Sequence, residues 1–210
     1  MPDHPYAPEW RRAGHYGARD SGVTFCEATI AAAWNVQGRA ERAPFVHEVG
    51  KLFGIALPFA PNGTVSGDAL CALWLGPGSW LLVAGSGSPL VEFESKRDAI
   101  NAAGGALFDL SASRVAWEIS GPQAATVLAK TCPLDFHARA FAPWTCAQSV
   151  LASVNALLMR GADASVFTVF VARSFARDVW RALTESAAQY GYEVGDPAPF
   201  GSRAGAIRSG

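Results

Sequence analysis

The 210-residue sequence predicts an α+β fold built from duplicated β-α-β-β-α units with antiparallel sheets. Two apolar runs, 69–75 and 80–84, flank the turn residues G-P-G-S, a pattern that predicts a β-hairpin. A second set of strand patterns followed by an amphipathic helix pattern occupies the C-terminal half. Each half therefore contains hairpin strands followed by a helix, which favours antiparallel sheets over a parallel α/β arrangement.

Four segments are expected along the chain. Residues 1–22 form an extended N-terminal arm that is rich in proline and aromatic residues. Residues 23–105 form the first α+β half and 106–195 form the second. Residues 196–210 form a C-terminal tail, so the two halves account for most of the chain.

The first half begins with apolar residues 23–36, which suit a strand at both ends and have an alanine-rich middle that also suits a helix. Pro44 fits the first position of a helix whose apolar residues continue at helical spacing to Phe53. After the hairpin, a helix is predicted over 90–103 because acidic residues come early and basic residues later, as the helix dipole favours. Gly104 then ends it.

The second half begins with an alternating strand, Arg114–Ser120, and the sequence Ser-Gly-Pro after it predicts a junction from strand to helix, with Pro122 as the first helical residue. Residues 145–160 predict two strands or one long bent strand. The clearest helix runs over 173–190, and one apolar stripe lies along it. The predicted members of this stripe are Phe175, Val179, Leu183 and Ala187.

Charge is scarce in this sequence. Charged residues make up 17% of the chain, where about 25% is usual for a soluble domain. Such a shortage is expected of a chain partly covered by another protein, although an ordinary protein rich in alanine and glycine would show it too. The net charge of −1 gives no basic excess, so nucleic acid and anionic membranes are not predicted as partners.

Two long stretches, 52–91 and 140–159, are almost without charge, but prolines, glycines and polar residues interrupt both. Neither is expected to span a membrane. The N-terminal residues lack the apolar region of a signal peptide, and the four cysteines form no C-x-x-C motif. The sequence therefore predicts a cytoplasmic protein with reduced thiols.

Motifs for dinucleotide binding, phosphate-binding loops, serine hydrolases and zinc proteases are missing from the sequence. Cys132, His137 and Cys146 come nearest to a metal-ligand set, but they give three donors at irregular spacing, so buried thiols and a loop histidine are favoured. Asp109 lies in the polar stretch D-L-S-A-S-R. Its carboxylate could contact a ligand amine, or Asp109 or Ser111 could accept backbone N–H bonds in a turn, and the turn is favoured.

Several motifs in combination resemble the gamma subunit of bacterial heterotetrameric sarcosine oxidase. They are D-L-S-A-S-R-V-A-W-E-I-S-G-P from residue 109, C-P-L-D-F-H-A-R-A-F over 132–141, C-A-Q-S over 146–149 and R-S-F-A-x-x-V-W over 173–180. The resemblance implies structural or interface roles for the signature residues Asp109, Ser111, Arg114, Gly121, Pro122, Cys132, Pro133, Asp135, His137, Phe141, Arg173, Ser174, Phe175 and Trp180.

The resemblance also implies a fold and a complex. The gamma subunit is similar to the tetrahydrofolate-binding domains of glycine-cleavage aminomethyltransferases, which are duplicated α+β units. The family's enzyme oxidatively demethylates sarcosine to glycine, with transfer of the one-carbon unit to tetrahydrofolate and formation of hydrogen peroxide. The implied partners are the alpha, beta and delta subunits. FAD, FMN, NAD and tetrahydrofolate are expected on the larger chains and zinc on the smallest, with no cofactor in this chain.

One segment departs from the aminomethyltransferase pattern. Those enzymes carry a segment like N-x-x-G-G-I-x-D-D, whose carboxylate assists one-carbon chemistry. At the corresponding place this sequence has T-C-A-Q-S-V-L-A, residues 145–152, without a carboxylate or a glycine pair. A group that polarises a folate amine must be charged or strongly dipolar. The resemblance thus implies a domain without catalytic, cofactor-binding or metal-binding residues.

The leading hypothesis is a non-catalytic gamma subunit that stabilises the sarcosine oxidase assembly. Its N-terminal arm and charge-poor hairpin are expected to pack on a large flavin-bearing chain, over more than about 2,000 Å². One alternative is a stand-alone tetrahydrofolate-binding or aminomethyl-transferring protein that uses Asp109 as the amine contact. Another is a gamma-type subunit of a related N-methyl amino acid dehydrogenase.

Overall fold

A computed structural model describes residues 12–86 and 92–202, which form two β-sheets and four α-helices. The strands are β1 Gly14–Tyr16, β2 Val23–Thr29, β3 Ala32–Gln37, β4 Thr64–Ser66, β5 Cys71–Gly76, β6 Ser79–Ala84, β7 Ala106–Asp109, β8 Arg114–Ser120, β9 Thr145–Leu151, β10 Val154–Arg160, β11 Phe167–Ala172 and β12 Tyr192–Pro199. The helices are α1 Ala43–Phe53, α2 Phe93–Ala102, α3 Ala124–Thr131 and α4 Ala176–Ala187. None of these four helices is long and apolar enough to cross a bilayer.

The first sheet has five strands in the order β4-β5-β6-β3-β7, and the second has seven in the order β1-β12-β2-β8-β11-β10-β9. Neighbouring strands are antiparallel except β2 and β12, which are parallel. The predicted α+β class with antiparallel sheets is confirmed, and the hairpin around G-P-G-S is present as β5 and β6.

The two sheets follow one plan. The series β3-α1-β4-β5-β6-α2-β7 builds the first sheet, and the series β8-α3-β9-β10-β11-α4-β12 builds the second with its strands in the corresponding order. Each series contains two strands more than the predicted β-α-β-β-α unit. In the first series the additional strands are β4 and β7, which have three and four residues and are too short to show a clear alternating pattern.

Two strands join the sheet that is built mainly by the other half of the chain. β2 precedes residue 105, but it lies in the second sheet between β8 and β12. β7 follows residue 105, but it lies in the first sheet and pairs with β3. The chain passes between the sheets from β2 to β3 and from β7 to β8, so each sheet contains a strand from the other half of the sequence. Pairing partners far apart in sequence decide this arrangement, and local patterns do not reveal such partners.

Both predicted terminal segments contribute to the second sheet. Residues 1–11 and 203–210 lie outside the described part of the chain. In the rest of the arm, β1 pairs with β12, and Tyr16 stacks on Tyr192 with ring centroids 5.3 Å apart. The predicted tail from residue 196 begins inside β12, and Phe200 is buried between the sheets, where its ring lies 5.4 Å from that of Phe170.

Apolar residues form three layers of core. One lies between the first sheet and helices α1 and α2, one lies between the two sheets, and one lies between the second sheet and helices α3 and α4. The order of layers is thus helices, sheet, sheet, helices. Strand alternation sends successive side chains to opposite layers. On β8 it places Val115, Trp117 and Ile119 toward the helices and Ala116 toward the other sheet.

Two helix starts differ from the predictions. Helix α3 begins at Ala124, and Pro122 lies in the preceding turn instead of the first helical position. Helix α4 begins at Ala176 after a 3₁₀ turn over Arg173–Phe175. Phe175 is consequently 47% exposed and is not part of the apolar stripe, whose other predicted members are buried. A 3₁₀ turn has three residues per turn, so its side chains leave the helical register.

Candidate functional site

The D-L-S-A-S-R segment connects the two sheets through a hydrogen-bonded turn. Asp109 Oδ1 accepts the backbone N–H of Ser111 at 2.9 Å and the Ser111 hydroxyl at 2.5 Å. Ser111 Oγ in turn accepts the backbone N–H of Ala33 at 3.0 Å, which fastens the turn to β3. Of the two interpretations of Asp109, the local turn is the one that these contacts match.

The R-S-F segment follows β11 of the second sheet and contacts this turn. The backbone N–H of Arg173 donates to Ser113 O at 2.8 Å, and its guanidinium donates to Ala112 O at 2.8 Å and to Arg114 O at 3.1 Å. Arg173 therefore binds three successive carbonyls. Two signature motifs, 59 or more residues apart in sequence, are brought together here. Ser174 is exposed, whereas Trp180 is buried.

Other signature residues lie at the opposite end of β8. Gly121 has φ +106° and carries the chain into the turn before α3. A Cβ atom at this position would lie 2.7 Å from Gly22 O, because β2 passes directly beside it. Gly121 thus has a structural role that other residues would fill only with strain. Phe141 stacks on Phe167, a residue that pairs with Ile119 near this same end.

The segment C-P-L-D-F-H-A-R-A-F forms a loop that follows α3. Asp135 Oδ1 accepts the backbone N–H of His137 at 2.8 Å, and His137 Nδ1 lies 3.3 Å from the backbone N of Arg139. Pro133, Asp135 and His137 are exposed. The polar groups of this loop are therefore used in local turns, and its aromatic residues pack on the core.

Arg160 fixes this loop from inside, and the sequence analysis did not single it out. The residue is 7% exposed. Its guanidinium donates to Phe141 O at 2.6 Å and to Ala164 O at 2.7 Å, and it lies over the ring of Phe167. An arginine directly after the apolar run A-L-L-M was the available signal, because a cation at the end of a buried strand needs acceptors.

The two cysteines considered as metal ligands lie in different core layers. Cys132 packs between sheet and helices, and its thiol is 3.6 Å from Ser149 Oγ. Cys146 packs between the sheets and donates to Trp74 O at 3.2 Å. Burial raises the pKa of the Cys146 thiol to about 12. Among the described residues, no three His, Cys, Asp or Glu side chains are grouped as metal ligands.

Arg114 lies between two clefts on the inner side of the second sheet. The larger cleft, of about 670 Å³, extends from Arg114 to Gln148 and Asn155, with Leu75 of the first sheet on one side. The smaller, of about 140 Å³, contains Glu27 and Arg173. Desolvation lowers the pKa of Arg114. This side chain can offer positive charge and hydrogen-bond donors to a ligand.

Sequence reasoning proposed Arg114 but missed Gln148 and Asn155. These residues meet through the β9–β10 hairpin, in which Gln148 pairs with Leu157 and Asn155 pairs with Val150. The hairpin turn consists of Ala152 and Ser153, both with positive φ (49° and 68°). Asn-Gly is the sequence that usually indicates such a turn. The Ala-Ser turn carries no such signal, so the register was not predicted.

Comparisons with known proteins agree with the signature motifs. Sarcosine oxidase subunit gamma from Corynebacterium sp. strain U-96 is 38% identical over 115 residues, 53% of this chain and 54% of that protein. The subunit gamma from Corynebacterium sp. strain P-1 is 40% identical over 106 residues, 49% of each chain. These alignments thus span about half the length of the curated relatives.

Two solved structures are similar in fold. A chain of the heterotetrameric sarcosine oxidase from Corynebacterium sp. U-96, solved in complex with pyrrole 2-carboxylate, has a TM-score of 0.73 and 26% identity, over 83% of this chain and 88% of that chain. The glycine cleavage system aminomethyltransferase T from Bartonella henselae has a TM-score of 0.56 and 16% identity, over 80% of this chain and 47% of that chain. The second similarity shows the fold alone.

The family comparison covers the whole signature region. The model of the sarcosine oxidase, gamma subunit family matches residues 37–189. This range includes the turn at Asp109, the junction at Gly121 and the Arg173 segment, whose contacts are described above. Because the match extends over well more than half of the sequence, the chain belongs to the sarcosine oxidase, gamma subunit family.

Proposed function

We propose that this chain is the non-catalytic gamma subunit of a heterotetrameric sarcosine oxidase and that it stabilises the assembly. The family match over residues 37–189 is the observation that carries the proposal. The structural similarity to a chain of a heterotetrameric sarcosine oxidase, with a TM-score of 0.73, supports it. In this proposal the partners are the alpha, beta and delta subunits, and FAD, FMN, NAD, tetrahydrofolate and zinc are held by those partners. Location in the cytoplasm stays a prediction.

The use of the signature residues supports a structural role. Asp109 accepts two hydrogen bonds from Ser111, and Arg173 donates to the backbone of the same turn. The hydrogen bonds of these two side chains stabilise the chain crossing between the sheets. The edge strand β9 corresponds to the segment that carries the carboxylate in aminomethyltransferases. Here the Gln148 amide on this strand donates to Leu75 O at 2.5 Å.

Co-expression with the three partner subunits of the same organism tests the proposal. We expect a single complex on size-exclusion chromatography that contains this chain in equal stoichiometry and oxidises sarcosine with release of hydrogen peroxide. Omission of this chain should lower the yield or the melting temperature of the complex. A stable monomer that never co-purifies with the flavin-bearing chains would contradict the proposal.

Calorimetry with tetrahydrofolate separates this proposal from the stand-alone alternative. The isolated chain is expected to show no binding at micromolar concentrations, because the proposed role leaves folate chemistry to a partner. A micromolar dissociation constant that Asp109→Asn abolishes would favour the aminomethyl-transferring alternative instead. Replacing sarcosine by other N-methyl amino acids in the activity assay identifies the substrate, and measuring hydrogen peroxide against the reduction of an artificial electron acceptor distinguishes the oxidase from a related dehydrogenase.

A further inference from the structure

Arg114 is a partly buried cation without a counterion in the described part of the chain. Its buried Nε has no hydrogen-bond partner, and no carboxylate among residues 12–86 and 92–202 forms an ion pair with its guanidinium. Arg160 and Arg173 differ, since both donate to backbone carbonyls. A charge removed from water without a partner costs free energy. Unlike those two arginines, Arg114 therefore lacks an acceptor among residues 12–86 and 92–202.

The larger cleft beside Arg114 suits an anionic group. Among the described residues that line it, the polar side chains on this face of the sheet are the Arg114 guanidinium and the amides of Gln148 and Asn155, and none of those lining residues is a carboxylate. On β11, the residue opposite Arg114 is the small Ala172, which leaves space above the sheet. An anion in this cleft would meet hydrogen-bond donors and no acidic side chain of the described lining residues.

The carboxylate in the smaller cleft does not fill this role. Glu27 lines that cleft together with Arg114 and Arg173. It has contacts with other residues of the chain, and it forms no ion pair with Arg114. Desolvation lowers the pKa of Arg114.

We propose that the larger cleft binds an aspartate or glutamate side chain of a partner subunit, which pairs with Arg114. This inference rests on the proposed function. Carboxylates match the planar guanidinium in two parallel hydrogen bonds. A protein source is favoured over a free ion because the cleft is bordered by the edge strand β9, on which Val150 is 42% exposed. Arginine is enriched in protein interfaces, and the contacts that surround such an anchor residue exclude water from it.

Competitive assembly tests the pair. The wild-type chain and an Arg114→Gln variant, distinguished by tags, are co-expressed in equal amounts with the partner subunits, and mass spectrometry measures their ratio in the purified complex. Truncating one side of a buried charge pair weakens binding by about 30-fold or more. We expect the wild-type chain to exceed the variant by at least about that factor.

Arg181→Gln is the matched control, because Arg181 is exposed on α4 and makes an i,i+4 contact with Glu185. It should enter the complex as readily as the wild-type chain. Equal incorporation of the Arg114→Gln variant would overturn the inference and leave the proposed function intact. A wild-type chain that enters no complex would overturn both.

The melting temperature of the isolated chain shows whether the Arg114→Gln variant is folded. Removing an uncompensated, partly buried charge should leave it equal to that of the wild-type chain or about 2–4 °C higher. A stable variant with poor incorporation is the signature of an interface residue. A variant that is less stable by several degrees would show that Arg114 supports the fold itself, against the inference.

Chemical cross-linking identifies the acceptor. In an Arg114→Lys variant, a carbodiimide should couple the new amine to a nearby carboxylate, and peptide mapping should find an aspartate or glutamate of a partner subunit. A cross-link to an acid of this chain, or none at this position, would contradict the inference. Saturable binding of acetate to the isolated chain at millimolar concentration, lost in Arg114→Gln, would assign the cleft to a free carboxylate instead.

Discussion

Gly121 shows how one backbone conformation links β8, α3 and β2. Its φ of +106° is strained for any other residue, and an added Cβ would approach Gly22 O to 2.7 Å. We expect Gly121→Val to lower the free energy of unfolding by about 2–4 kcal/mol, since a β-branched side chain adds both strain and overlap. Urea denaturation of the isolated chain measures this loss.

Gly50 provides a matched control for that substitution. It lies inside α1, and a Cβ there would meet nothing within 4 Å. Gly50→Ala should therefore raise the free energy of unfolding by about 0.5–1 kcal/mol, because alanine loses less conformational freedom in a helix. An unchanged urea midpoint for Gly121→Val would contradict the close contact between Gly121 and the start of β2.

The buried thiol of Cys146 should make stability fall at alkaline pH. Burial raises its pKa from 9.0 to about 12 in the folded state. Above pH 9 the unfolded chain therefore releases a proton that the folded chain keeps. The stabilisation is complete below pH 9 and decreases by up to about 1.4 kcal/mol for each pH unit above it.

Melting curves at pH 8 and pH 10 check this slope. The wild-type chain and a Cys146→Ala variant share all other titrating residues, so the difference between their slopes reports the loss of this thiol together with its Coulombic effect on the Cys71 thiol. We expect the melting temperature of the variant to decrease less between the two pH values. Parallel curves for the two proteins would show that Cys146 does not keep its proton in the folded state.

At the scale of elements, the two chain crossings between the sheets lie side by side. The first joins β2 to β3, and the second joins β7 to β8. Ser111 of the second crossing accepts the N–H of Ala33, which lies in β3 directly after the first crossing, and Leu110 N donates to Ala33 O at 2.8 Å. The relative position of the two sheets therefore depends in part on one serine hydroxyl.

Removing that hydroxyl should destabilise the crossing. Ser111→Ala leaves the N–H of the buried residue Ala33 without its acceptor, which costs about 1–3 kcal/mol. Ser113→Ala is the control, because the Ser113 hydroxyl donates only to Leu110 O in its own turn and its loss should cost less than about 1 kcal/mol. Equal losses in urea denaturation would contradict a special role for Ser111.

Strand β8 could be predicted because its alternation is strong and both of its faces are buried. The candidate site depends on information of another kind. Arg114 was recognisable from its motif, but the cleft around it exists only through the register of β9 and β10 and the contact of Gln148 with Leu75. Hairpin register follows from turn geometry. An Ala-Ser turn with two positive φ angles does not reveal that geometry in the sequence.

For the whole molecule, the placement of β2 makes the two sheets one folding unit. β2 comes from the N-terminal half, yet it lies between β8 and β12 of the second sheet, where Phe25 packs on Trp180 and Tyr192. Neither pairing could be predicted from local sequence. Phe25 pairs with Ile119 on one side and with Val194 on the other, and both are far from it along the chain. A cut between the halves should leave the second sheet without a central strand.

A chain cut at Ala112 tests this dependence. The fragment 112–210 alone should give an NMR spectrum with poor dispersion. Without β2, backbone groups of β8 and β12 have no hydrogen-bond partners, and the apolar face that Phe25 covers is exposed to water. Co-expression with the fragment 1–111 should restore the dispersed spectrum. Phe25→Asp in that second fragment should prevent the rescue, since Phe25 is fully buried, whereas Phe59→Asp should permit it, since Phe59 is 53% exposed. A well-dispersed spectrum of fragment 112–210 by itself would show that the second sheet folds without β2.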